Sequence, residues 1–118
     1  MEIKIANKKY TLYFGWDFLD KVNEYFGIRL DVQGTEVNTK QGGMPFMEQG
    51  LESKDPITVQ KVIQAATSTE KSKPSVKNIR SFIEDLLSDG KKYVEFVEEL
   101  HEEIKKDKLL SAIQKMDQ

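Results

Sequence analysis

The feature that most constrains the fold of this chain is a change in its hydrophobic period near residue 15. Up to that point Ile3, Ile5, Tyr10, Leu12 and Phe14 alternate with polar or outward residues, the period of a half-buried strand pair. Beyond it, apolar residues recur at i, i+3, i+4 and i+7, the spacing of amphipathic helices. A two-stranded hairpin is marginal in water by itself, so residues 2–14 need a helical layer to cover their apolar face. The fold class expected is therefore mainly α: a small helical domain with an N-terminal antiparallel β-hairpin. With 118 residues the whole of 1–118 is expected to form one domain, with a radius of gyration of about 13–14 Å.

A two-residue turn at Asn7-Lys8 would set Ile5 opposite Tyr10 and Ile3 opposite Leu12, all on one face. The first helix, 16–26, carries Leu19, Val22 and Phe26 with Phe18 and Tyr25 beside them, and Gly27 stands where a left-handed C-cap belongs. The segment 31–43 is polar, with Gly34, Gly42 and Gly43 and only Val32 and Val37 as branched apolar residues. It reads as a loop with at most a weak second hairpin around Gln33-Gly34. Further helices are expected over 44–53, over 56–67 with Pro56 in its first turn, over 75–89 with Ser75 as N-cap, and over 91–116. Val59, Val62, Ile63 and Ala66 stripe the third of these helices. Ile79, Phe82, Ile83, Leu86 and Leu87 mark the fourth.

The last helix breaks phase. Tyr93, Phe96, Val97, Leu100 and Ile104 share a stripe, but Leu109 comes five residues after Ile104, a rotation of about 140° from the first face. Either the helix bends near 105–108, or Leu109, Leu110, Ile113 and Met116 point away from the core and offer a surface for association. Met44, Phe46, Met47 and Leu51 form a second group with two readings. They are ordinary core, or an adaptable binding surface of the kind that methionine side chains provide.

Chemistry is largely missing. The chain holds no cysteine and one histidine, His101, with no phosphate-cradling glycine motif and no nucleophile elbow. Neither a catalytic site nor a cofactor is expected. Glu98-Glu99-Leu100-His101 contains the Glu-x-x-His spacing of carboxylate-bridged metal bundles, but those need a second copy and further carboxylates. Alternating glutamates and lysines over 98–108 read more simply as a solvated face, and no metal is expected. Lys71, Lys73, Lys77 and Arg80 could touch phosphates, yet the connector 67–74 is long for a helix-turn-helix and Glu84 and Asp85 follow. A net charge of -2 supplies no field toward nucleic acid or an anionic membrane, and neither is an expected partner. Residues 1–5 lack the apolar run of a signal peptide, and no apolar stretch approaches a membrane span, so the expected location is a cytoplasm.

The run Tyr10-x-Leu12-x-Phe14-Gly15-x-x-Phe18-Leu19, followed by Gly27-Ile28, resembles the start of the siphophage tail assembly chaperones of Gram-positive hosts. Gly43-Met44, Gly50-Leu51, the helix ending in Ala65-Ala66-Thr67, Lys73-Pro74-Ser75 before Ile79 and the acidic C-terminal helix extend the likeness over nearly the whole chain. Met44-Pro45-Phe46-Met47 and the polar 31–43 loop are less typical of it. The resemblance implies a non-catalytic phage protein made in the host bacterial cytoplasm and absent from the mature virion. It implies a chaperone that keeps the tape measure protein soluble during tail assembly, that self-associates, and that in some phages also exists as a frameshift-extended form. A virion structural adaptor such as a head–tail connector, or a small nucleic-acid-binding regulator, are the alternatives.

Overall fold

The computed structural model describes residues 1–116. In chain order they form β1 (Glu2–Ile5), β2 (Lys8–Thr11), α1 (Trp16–Phe26), β3 (Arg29–Val32), β4 (Thr35–Asn38), α2 (Gly43–Glu52), α3 (Pro56–Ala66), α4 (Val76–Leu87), α5 (Gly90–Lys106) and α6 (Lys108–Met116). The fold is mainly helical with two small antiparallel two-stranded sheets, β1–β2 and β3–β4.

The first hairpin stands where the period-two pattern puts it, but its register is moved by two residues. Ile3 pairs with Tyr10 and Ile5 with Lys8. The turn is Ala6-Asn7, both with positive φ (51° and 65°), as the tight turns favoured by twisted hairpins require. A two-residue slip preserves parity, so Ile3, Ile5, Tyr10 and Leu12 still share the buried face. The far end of the strands is held by Leu12 N–H donating to Met1 O (2.8 Å) and Tyr13 N–H donating to Ala66 O (2.9 Å). The second of these bonds comes from the C-terminus of α3, which no local pattern encodes.

Helix α3 runs through the centre. Asp55 caps it by accepting from Thr58 N–H (3.1 Å), and Pro56 occupies its first turn. Val59, Val62, Ile63, Ala65 and Ala66 are all buried. Against it lies α2, which two glycines let pack closely on α1 and α3. A Cβ at Gly43 would come 2.5 Å from Val22 O in α1, and one at Gly50 would come 2.1 Å from Thr58 Oγ1 in α3. Gly27 does not adopt the left-handed cap expected of it. Its φ of -59° is ordinary, and the demand there is space, since a Cβ would fall 2.1 Å from Asn23 O.

Helix α4 is capped by Ser75, whose hydroxyl accepts from Asn78 N–H (3.1 Å). Ile79 and Ile83 are buried, Phe82 and Leu86 are only partly so, and Leu87 is exposed. The Phe82 ring meets Phe96 of α5 edge-on, 5.3 Å between centroids.

The single C-terminal helix expected over 91–116 is two helices. Asp107 leaves the helical region (φ -72°, ψ 130°) and serves both ends: its N–H donates to Ile104 O, and its Oδ1 accepts from Leu110 N–H at 2.9 Å. The phase break in the sequence marks this bend. By reorienting α6 it puts Leu110 in the core and Ile113 against it, so this stripe is not the detached outward face that was the other reading.

Residues 29–38 form the second hairpin, at the Gln33-Gly34 turn expected for it, and it is more regular than the polar segment suggested. It closes at Gln33 (φ 52°) and Gly34 (φ 83°), with Leu30 opposite Val37 and Asp31 opposite Glu36. The polar composition concealed a period-two pattern in Ile28, Leu30 and Val32.

Ile79→Ala is expected to cost about 2–5 kcal/mol in a urea melt, whereas the half-buried Leu86→Ala should cost less, about 1–2 kcal/mol. Equal losses would mean that α4 faces the core differently. Gly50→Ala should destabilise by about 1–3 kcal/mol, because the short branched Thr58 side chain cannot swing clear of the added methyl. An unchanged melting curve would show that α2 and α3 are less closely packed than described.

Candidate interaction surfaces

Helical geometry splits the Met44–Leu51 group. Met44, Met47 and Leu51, at i, i+3 and i+7, are fully buried in the core, while Phe46 is turned outward and 52% exposed. The C-terminal group divides too. Leu110 is fully buried, Leu109 and Ile113 are half-buried, and Met116 is 75% exposed. Met44 and Ile113 do come together, lining a shallow cleft with Leu19 and Pro45 where α6 crosses the start of α2.

Two of the polar residues singled out in the sequence, His101 and Arg80, bond to other helices. Glu48 of α2 accepts hydrogen bonds from His101 of α5 and from Gln114 of α6, a tie across three helices with little solvent access. His101 thus points to Glu48, and Glu98 of the Glu-x-x-His spacing lies exposed. Among the described residues no cluster of His, Asp and Glu is arranged to hold a metal ion. Arg80 donates from Nε to Gln60 Oε1 (2.7 Å), and Gln60 donates onward to Gln64 (3.0 Å), so Arg80 braces α4 against α3. Lys71, Lys73 and Lys77 remain exposed around it.

Three further exposed surfaces emerge. Between α3 and α4 runs a groove of ≈ 200 Å³ with Ile83 on its floor, Ile57 and Leu87 on its rims, and Arg80 and Glu84 along one side. Ile57 is 57% exposed, and its signal was available: it falls off the Val59–Val62–Ile63–Ala66 stripe of its own helix. A second cleft of ≈ 300 Å³ lies beside Trp16, which is 72% exposed, with Tyr13 and Ala66 among its walls. Third is the β3–β4 hairpin, where residues 29–37 are all exposed and Leu30, Val32 and Val37 include no buried side chain.

The grooves are shallow, and the one between α3 and α4 is apolar with charged margins, the character of a surface suited to contact with another polypeptide. Residues 2–116 match the family model described as phage tail assembly chaperone protein, TAC, and the chain belongs to that family. The family is non-catalytic. No curated protein and no solved structure matches the chain.

Removing the Glu48 tie should loosen α6 most, because the long helix α5 keeps its other core contacts. In Glu48→Ala, backbone amides of residues 108–116 are expected to exchange about ten- to a hundredfold faster, corresponding to about 1–3 kcal/mol of lost local protection. Equal acceleration throughout α3 would mean that Glu48 supports the whole core.

Proposed function

We propose that this chaperone holds the tape measure protein of a siphophage infecting a Gram-positive host, in the host cytoplasm, as a self-associating coat that is not retained in the mature virion. The family match identifies a tail assembly chaperone, and the α3–α4 groove is the observation that carries the choice of client. A tape measure protein is a very long helical chain with an apolar stripe that it cannot bury by itself. A groove rimmed by Ile57 and Leu87 above Ile83 accepts one or two side chains of such a stripe at i, i+3 or i+4 spacing.

Each such contact is small. Burying one large aliphatic side chain contributes about 1.5–3 kcal/mol before the cost of association, which makes a single copy a weak binder. Many copies along one long client hold it by avidity, while each copy remains displaceable when tube subunits arrive. Among the residues marked in the sequence, Phe46 and Met116 stand clear of the core and are proposed as further contacts on α2 and α6. Leu109 and Ile113 offer only their exposed edges, and Leu110, Met44, Met47 and Leu51 act by shaping the core beneath.

Co-expression with the tape measure protein tests this. The native chain should keep it soluble, and Ile57→Asp combined with Leu87→Asp should leave it in the pellet while the circular dichroism and melting curve of the chaperone are unchanged. Full solubilisation by the double variant would remove the groove from consideration. Abundant copies in purified virions would favour a structural adaptor.

A further inference from the structure

The β3–β4 hairpin is anchored at its base and exposed along its strands. Ile28 N–H donates to Gln41 O (2.9 Å) and Thr39 N–H donates to Ile28 O (3.0 Å), while Asn38 Nδ2 donates to Glu24 O (2.9 Å) at the end of α1. These bonds fix the base of the hairpin, with Asn38 tying it to α1, while residues 29–37 stay exposed on both strands. On the β3 side, residues 28, 30 and 32 turn their backbone groups inward to β4, so by the alternation of an antiparallel ladder Arg29 and Asp31 turn theirs out. That edge carries no lysine, proline or bulge; its charges are Arg29 and Asp31, one of each sign.

We infer that the β3 edge is a self-pairing surface: two copies of this chain join β3 to β3 antiparallel, about a two-fold axis at Leu30, into a four-stranded sheet. This rests on the self-association proposed above and names the surface that performs it. Only residues with outward backbone groups can form the hydrogen-bonded pairs, which restricts the two-fold registers to a few. Centring on Arg29 sets two guanidinium groups face to face, and centring on Asp31 sets two carboxylates face to face. Centring on Leu30 puts Arg29 of each copy opposite Asp31 of the other, Leu30 opposite Leu30, and Ile28 opposite Val32. Every charge then meets its opposite and every apolar side chain an apolar one, on the correct faces of the sheet.

A second observation comes from within the hairpin. Asp31 lies directly opposite Glu36, a like-charged cross-strand pair. Arg29 compensates only one of the two, bonding Glu36 Oε1 at 3.2 Å. Asp31 has no cation partner among the described residues. Pairing in the Leu30-centred register brings a second guanidinium to that carboxylate. The interface is small and partly ionic, so the association is weak and weakens further with salt.

Sedimentation velocity of the chaperone alone, over a micromolar to near-millimolar series, tests the pairing without any client. The native chain should show a concentration-dependent dimer. Leu30→Asp, Arg29→Asp and Asp31→Arg should each weaken it by about tenfold or more, with unchanged melting curves. The double exchange Arg29→Asp with Asp31→Arg should restore it, since the charges then meet in reversed order. As the chain has no native cysteine, Leu30→Cys should oxidise to a covalent dimer, whereas Glu36→Cys on β4 should not. A native chain that is monomeric throughout, a dimer indifferent to these changes, or a double exchange no better than its parents would overturn the proposal. So would a monomeric native chain whose Leu30→Asp variant loses the tape measure protein, because the edge would then take a client strand. A dimer of this kind in a chain that fails to solubilise the tape measure protein would instead uphold the pairing and sink the client assignment.

Discussion

Burial of α3 is the constraint on which the rest of the molecule depends. Nearly its whole circumference is covered, with Thr58, Val59, Gln60, Val62, Ile63, Ala65 and Ala66 all buried, so several elements must pack against it at once. Close approach is needed on the α2 side, and Gly50 permits it, while Gly43 does the same between α2 and α1. The polar groups carried inward are matched: Gln60 by Arg80 and Gln64, and the Thr67 hydroxyl by Ile63 O at 2.8 Å. Unmatched groups there would each cost about 1–3 kcal/mol, a large share of the stability of a small domain.

A second layer of control lies in side chains that end or aim helices. Asp107 closes α5 and opens α6 with one residue, which converts a phase error in the apolar pattern into a packed corner. Glu48 then holds α6 and α5 against α2. Both are charged residues whose work is positional, and neither gives a recognisable sequence motif.

The surface carries several large apolar side chains: Trp16, Ile57, Phe46 and Met116 are more than half exposed, and a hairpin arm is apolar on one face. The arm contributes to the elongated shape, 45 Å by 31 Å by 29 Å, and to a radius of gyration of 14.6 Å against the 13–14 Å expected of a compact chain of this length. Such a surface is compatible with the tail assembly chaperone family to which the chain belongs.

Much of this was legible in the residues themselves. The apolar periods placed the first hairpin and most of the helices, Ser75 and Pro56 marked two helix starts, and the phase break after Ile104 located the corner at Asp107. Those signals are local, because a helix or strand must show its own period whatever it packs against. What the tertiary structure alone decided is which apolar residues face inward. Tyr13 docked to the end of α3 at Ala66, Leu110 turned into the core through the Asp107 bend, and Met44, Met47 and Leu51 separated from Phe46. Burial is a property of neighbours distant in sequence, so the candidate residues could be named from the pattern, but their division between core and surface could not.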